Sequence, residues 1–251
     1  MFLDFEGIEN VRDLGGLLRA DGRKTKPGLL LRTGRLEHAT DADIARLADM
    51  GLACVIDFRD LDETRRAPDR PVPGASYHQL PALPPLNTMF RRPDDPSYTA
   101  DEVRADFAAI YRKLARSTEA DEAYAEFFRL LLAAEGRPVL WHCTQGKDRT
   151  GAAALLLLTA LGIDEDTIFR DYLLTNEFTQ GLMDRVTAME HPPFSADIAR
   201  EVFFVREENL RTYVKLLELE YGSVPAYLEL VLGVGPDEIE ALEDLYLDEG
   251  V

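Results

Sequence analysis

The residues best equipped for chemistry stand together in one string, His142-Cys143-Thr144-Gln145-Gly146-Lys147-Asp148-Arg149-Thr150-Gly151. A cysteine ends an apolar run, five residues follow, and an arginine opens a long apolar stretch. A loop of that length can curl so that its backbone N–H groups, from Thr144 to Arg149, converge on an anion. A helix beginning there adds unsatisfied N–H groups and the positive end of its dipole. Gly146 lets the backbone turn where a Cβ would obstruct it. Arg149 supplies a planar fork matched to two oxygens of a phosphate. The same positive field favours the thiolate of Cys143 at neutral pH. A nucleophilic sulfur on the floor of such a nest is suited to attack on phosphorus. Gly146-Lys147 does not mark a nucleotide loop, which needs Gly where Trp141 stands and Ser or Thr where Asp148 stands.

Several elements must position this string. Val139-Leu140-Trp141-His142 reads as a strand leading into it, and Gly151 to Leu161 as the apolar helix leading out. Leu29 to Arg32 reads as a short strand, and Ala53 to Phe58 is a nearly continuous apolar run, as expected of a strand buried on both faces. Tyr77 to Leu80 reads as another strand. Thr40 caps a helix with an acidic first turn, whose apolar positions are Ile44, Leu47, Ala48 and Leu52 and which Gly51 stops. Otherwise the first 80 residues read as strands and turns. Pro81 to Asp101 has no periodicity and reads as a long loop. Two helices follow, one carrying Val103, Phe107, Ile110, Tyr111 and Leu114, the other Tyr124, Phe127, Phe128 and Leu131. The last ninety residues read as helices, with caps at Asp164 and Ser195 and breaks at Gly222 and Gly233 to Pro236. Strands alternating with helices imply an α/β layer fold. The helical C-terminal part either packs on the sheet or forms a lid. No linker divides residues 1–251, which predicts one domain.

Composition narrows the function. The formal net charge is −18 over 251 residues. So acidic a surface repels nucleic acid and anionic lipid unless a local basic patch reverses the field. Arg91 and Arg92 with Lys147 could make such a patch, but Asp94 and Asp95 flank it. Nucleic-acid binding and stable membrane association are therefore not expected. The two cysteines, Cys54 and Cys143, make no disulfide framework. The longest apolar run, from Ala152 to Leu161, is short of the ~18 residues of a membrane span. No secretory signal opens the chain, so a cytoplasmic location is expected. His38, His78 and His191 show no ligand spacing, and neither a metal nor a cofactor is expected. Cys54 invites a redox role, as a partner that shields the nucleophile in a reversible disulfide. A small core residue is the plainer reading.

The whole string, His-Cys-x-x-Gly-Lys-Asp-Arg-Thr-Gly, resembles the signature of the cysteine-dependent protein tyrosine phosphatase superfamily. It is most similar to the atypical bacterial tyrosine and phosphoinositide phosphatases. Asn10-Val11-Arg12-Asp13-Leu14-Gly15-Gly16, Val55-Ile56-Asp57-Phe58-Arg59 with Glu63 nearby, and Tyr221-Gly222-Ser223 also look like that family. So do Tyr227-Leu228 and Leu232-Gly233-Val234. The resemblance spans nearly the whole chain, although only the loop is sharp. It implies a small, mostly parallel central sheet flanked by helices.

By that resemblance Cys143 attacks phosphorus and becomes a cysteinyl phosphate that water hydrolyses. Arg149 and the amides of Thr144, Gln145, Gly146, Lys147, Asp148 and Arg149 hold the phosphate oxygens. Thr150 donates its hydroxyl to the thiolate, and His142 orients the loop. The general acid is open between Asp148 inside the loop and Asp57 at a strand's C-terminal end. Lys147 either binds a second acidic group of the substrate or is a solvated rim lysine. The implied substrate is phosphotyrosine in a protein or peptide. Phosphoserine, phosphothreonine or a phosphoinositide is the alternative on the same scaffold. Sulfur transfer and arsenate reduction also use a cysteine in an anion loop, but those loops lack Gly-Lys-Asp-Arg-Thr-Gly. A phosphate-binding module without activity would need Cys143 or Arg149 replaced.

Overall fold

Five short strands form the centre of the molecule. They belong to a computed structural model that describes residues 2–85, 95 and 97–250. The strands are β1 (Arg12–Asp13), β2 (Leu30–Thr33), β3 (Cys54–Asp57), β4 (Ser76–Gln79) and β5 (Val139–His142), in spatial order β1-β2-β5-β3-β4. Only β1 runs antiparallel to its neighbour. The sheet is thus mostly parallel, as the alternation of strand and helix requires. The central strands β2, β3 and β5 are buried throughout, which explains their near-continuous apolar sequence. Side chains alternate between faces: Leu30, Cys54, Ile56, Val139 and Trp141 enter one core, while Leu31, Val55 and Leu140 enter a smaller one.

The smaller core is covered by α1 (Asp41–Asp49) and the N-terminal segment, through Leu47, Ile8 and Val11. Thr40 and Asp43 form a capping box at its start. A second helix in this half, α2 (Leu61–Arg66), was not signalled by the sequence. Leu61-Asp62-Glu63-Thr64-Arg65-Arg66 has no apolar stripe and buries no residue, so periodicity cannot reveal it. What makes it a helix is local, a capping box between Asp60 and Glu63.

The larger core is covered by α3 (Ala100–Leu114), α4 (Thr118–Ala133), α5 (Asp148–Ala160) and α6 (Glu165–Leu173). α9 (Glu207–Tyr221), α10 (Val224–Leu230) and α11 (Pro236–Tyr246) complete it. α5 is buried along nearly its whole length, which accounts for a sequence apolar on all sides. Edge-to-face rings tie α4 to the strands, Phe58 to Tyr124 at 5.5 Å and Phe127 to Trp141 at 5.4 Å. Such pairs contribute about 0.5–1.5 kcal/mol each beyond area burial. Most of the helical tail therefore packs on the sheet. The exception is the pair α7 (Thr175–Thr187) and α8 (Ala196–Phe203), which share a small cluster of their own and reach across to α3. Arg91, Arg92 and Asp94 lie outside the described residues. No helix of the described residues is long and apolar enough to cross a membrane.

Candidate active site

The loop 143–147 leaves the C-terminal end of β5 and turns into α5, the edge of a parallel sheet where helix N-termini gather. Its backbone is turned by partners that capture its carbonyl oxygens from outside. Asn10 Nδ2 donates to Gln145 O at 3.0 Å and Gly146 O at 3.2 Å. Arg32 Nη2 donates to Gly146 O at 2.9 Å, and the Arg35 amide to Thr144 O at 3.2 Å. With the carbonyls held outward, the N–H sides of the same peptides face the other way, toward the loop centre. Gly146 has φ +66°, and a Cβ there would lie 2.3 Å from Thr33 O. No other residue fits that position.

Cys143 sits buried at the loop's floor. Burial pushes its thiol up, but the Arg149 charge and the Thr150 hydroxyl and amide outweigh this and bring it below its ordinary value. The Thr150 hydroxyl is itself buried and has no other partner among the described residues. Tyr124 and Trp141 fix the turn behind it, donating to Arg149 O at 3.0 Å and Thr150 O at 3.3 Å.

Arg149 is gripped by Glu63 of α2. Nη1 donates to Oε2 at 2.5 Å and Nη2 to Oε1 at 2.9 Å, while Phe58 O accepts from Nη1 at 3.3 Å. Glu63 also accepts from the Thr144 hydroxyl. Burial alone would raise the Glu63 carboxyl, yet Arg149 and Thr144 hold it down at about 2. In the sequence Glu63 stands out only as a neighbour of the Val55 to Arg59 stretch, without a role. Its helix, invisible to periodicity, is what aims the arginine.

Asp148 and Lys147 face the helical half. The Tyr111 hydroxyl donates to Asp148 Oδ1 at 2.7 Å and lies 2.7 Å from the Tyr172 hydroxyl. Burial and the Asp148 carboxylate raise Tyr111 far above its ordinary value, so its proton stays on the phenol. Lys147 is neither solvated nor at the rim. Its ammonium lies 4.3 Å over the Phe107 ring and donates to Val202 O near the end of α8. Burial lowers its pKa, opposed by Asp148 at 3.9 Å. Tyr111 reads in the sequence as one member of an apolar stripe, and nothing there announces its hydroxyl.

Asp57 is withdrawn from the loop centre. Both of its oxygens accept from Arg59, and one accepts from Tyr77 at 2.7 Å. His142 lies beneath Cys143, with Nδ1 3.1 Å from Cys143 O and Nε2 3.1 Å from Asp69 Oδ2. Asp57, Asp69 and His142 bring ligand-type atoms within 4.8 Å of one another. Arg59 Nη2 stands 2.7 Å from both carboxylates, however, so these groups already hold a cation of their own. Asp69 carries no sequence signal at all.

A further strut lies below the loop. Asp171 on α6 receives Arg32 at 2.6 Å, and its backbone oxygen receives Arg12. Burial and the neighbouring Arg32 push Arg12 down to about 9. The redox role for Cys54 is overturned by strand register. Cys54 pairs with Val139, four positions before Cys143 in the parallel ladder. At ~3.3 Å per residue the two are about 13 Å apart, beyond the ~7 Å Cα reach of a disulfide. Burial raises the Cys54 thiol to about 11, which also makes it inert.

A cleft of about 290 Å³ opens beside Thr144 and Gln145, lined by Glu9, Arg35, His38, Leu182 and Phe203. It adjoins the anion loop and is bounded by both halves of the molecule.

Comparison with known proteins identifies the family. The model of the tyrosine phosphatase family matches residues 3–248. A protein of Cupriavidus necator named as a tyrosine-protein phosphatase is 35% identical, covering 92% of this chain and 84% of its own. The triple specificity protein phosphatase PtpB of Mycobacterium tuberculosis is 30% identical, covering 90% of this chain and 92% of its own. A tyrosine-protein phosphatase of Nostoc commune is 26% identical, over 85% and 72%. The chain therefore belongs to the tyrosine phosphatase family, and it is an enzyme that hydrolyses phosphate monoesters.

Proposed function

We propose that residues 1–251 form one catalytic domain that removes phosphate from phosphotyrosine in proteins or peptides. The observation that carries the reading is the thiol of Cys143, held below its ordinary value on the floor of a loop whose carbonyls are tied outward. The Cys143 thiolate attacks phosphorus, forming an S–P bond as the P–O bond to the phenol breaks. Asp148 gives its proton to the departing oxygen. In the second step Asp148 takes a proton from water, the water oxygen attacks phosphorus, and the S–P bond breaks to return the thiolate. Arg149 and the loop amides stabilise the equatorial oxygens in both steps, a preorganised field that supplies most of the rate. The Thr150 hydroxyl stabilises the thiolate as it leaves.

Asp148 is preferred as the acid over Asp57, because Asp57 is committed to Arg59 and Tyr77 while Asp148 has one oxygen free of any tyrosine. Lys147, buried against Phe107 and Val202, acts on the loop and the neighbouring helices rather than on a second phosphate. The cleft beside Thr144 and Gln145, with apolar Leu182 and Phe203 on one wall, suits a phenyl ring and the peptide beyond it. The net charge of −18 supports peptides over lipids in an anionic bilayer.

The test is kcat/KM for a phosphotyrosine peptide, a short-chain phosphoinositide and the same head group in vesicles, at low and moderate salt. The peptide is expected to lead, with the vesicle substrate poorest at low salt, where repulsion is strongest. A preference for vesicles at low salt overturns the substrate assignment. Cys143→Ser should keep vanadate binding and lose turnover. Substantial hydrolysis by that variant overturns the cysteinyl-phosphate step.

A further inference from the structure

Behind the loop, four charged or ionisable side chains are packed together: Asp57, Arg59, Asp69 and His142. None of these side chains is more than 5% exposed. The two carboxylates and the guanidinium leave one negative charge uncompensated, and His142 is the group that faces it. Asp69 Oδ1 accepts from the Leu36 amide at 2.7 Å and Oδ2 from Arg59 Nη2 at 2.7 Å, both of which favour the ionised carboxylate. Asp57 likewise accepts from Arg59 and from Tyr77. Burial and the Asp57 charge raise Tyr77 far above its ordinary value, so the phenol stays neutral and adds no charge.

The ring nitrogens of His142 leave little choice of protonation. Nδ1 is bonded at 3.1 Å to Cys143 O, an atom that only accepts, so Nδ1 carries a hydrogen. Nε2 lies 3.1 Å from Asp69 Oδ2, off the line of a straight hydrogen bond, and has no other partner among the described residues. A bare lone pair there would face a carboxylate oxygen at contact distance. A second hydrogen turns that repulsion into an ion pair and closes the charge count of the cluster.

We propose that Asp69 is a positioning residue that keeps His142 as an imidazolium, through which it tunes the Cys143 nucleophile from below. The inference rests on the reading of Cys143 as nucleophile. The route is one peptide unit long. His142 draws density onto the Cys143 carbonyl oxygen, and the N–H of Thr144, on the same peptide, becomes a stronger donor toward the loop centre. No proton is passed along this line; the ring keeps both of its hydrogens through the cycle. Burial favours the neutral ring, but Asp57 and Asp69 outweigh it and raise the His142 pKa, which agrees with the geometry.

Two measurements test this. In the wild-type chain labelled with ¹⁵N-histidine, one of the four imidazoles should show two protonated nitrogens from pH 6 to 8. The other three, His38, His78 and His191, are not buried. A lone-pair Nε2 on the buried ring at pH 7 overturns the proposal. Next, the pH dependence of Cys143 alkylation gives the thiol pKa. Asp69→Asn should raise it by about one unit, with the acidic limb of kcat/KM moving up equally. The same substitution in a His142→Asn background should add nothing. A fall in kcat at every pH with an unmoved thiol pKa makes Asp69 merely structural and overturns the proposal, as does additivity in the double variant. If Asp69→Asn does not fold, the wild-type spectrum decides alone. Failure of the nucleophile reading is recognised separately, by turnover in Cys143→Ser, whatever the state of the ring.

Discussion

Arg149 and Asp148 are adjacent in the chain, yet opposite halves of the molecule hold them by different means. Arg149 turns toward the sheet half and is locked in a two-point ion pair with Glu63. Asp148 turns toward the helical half, where its hydrogen bond comes from a neutral phenol, Tyr111, with Tyr172 behind it, and the Lys147 ammonium stands off at 3.9 Å. The difference matches the roles proposed for the two side chains. A phosphate-binding guanidinium works best when charge and direction never change, and a carboxylate partner secures both. A group that gives up and regains a proton needs a partner that orients it without fixing its charge. A phenol that keeps its own proton meets that need, whereas an arginine would hold Asp148 ionised.

Breaking the fork should cost most. Arg149→Lys keeps the charge and loses the two-pronged geometry, so kcat/KM should fall by ~10²–10³-fold on any substrate. A loss below tenfold would mean that the loop amides alone hold the phosphate.

The next effect separates the halves by leaving group. Asp148→Asn should slow alkyl phosphates by ~10²-fold and aryl phosphates less, with the basic limb of the pH–rate profile gone. A phenol, of pKa ~10, departs without help far better than an alcohol. Equal losses on both substrates would give Asp148 a structural role and return attention to Asp57.

Glu63→Gln should leave the leaving-group dependence untouched and lower kcat/KM by ~10-fold, since the fork is still present but less well aimed. It should also change the acid stability. The Glu63 pKa in the folded chain is depressed to about 2 from 4.5. Its pairing therefore stabilises the fold fully above pH ~4.5, and that stability is lost as pH falls toward 2. Denaturation followed between pH 6 and 2.5 should show a shallower fall for the variant. An unchanged slope would mean that the pair contributes nothing to folding.

Tyr111→Phe should have the smallest effect, a few-fold fall in kcat concentrated on alkyl phosphates. An equal fall on aryl phosphates would place Tyr111 with the packing of α3 rather than with the acid.

How far the sequence reveals this site follows from how local each feature is. Cys143, Arg149, Thr150 and the loop amides are contiguous, so their types and spacing display them directly. The central strands announce themselves because burial on both faces leaves them almost no polar residue. α2 does not, because six residues without an apolar stripe carry no period. Lys147 shows the limit from the other side. As a residue type it belongs at a solvated rim, and only the arrival of α3 and α8 buries it.

The phosphate-type loop, the α/β class and the helix starts at Thr40, Asp164 and Ser195 are legible in the chain alone, because each depends on neighbours within a few residues along it. Which distant groups hold that loop is set by the packing of the whole chain: Asn10, Arg32, Glu63 and Tyr111 touch it or its flanks directly, and Asp69 and Asp171 act through His142 and Arg32. Contacts across such separations depend on strand order and helix placement. Those follow from the burial of the whole apolar surface at once, and no short stretch of sequence records that.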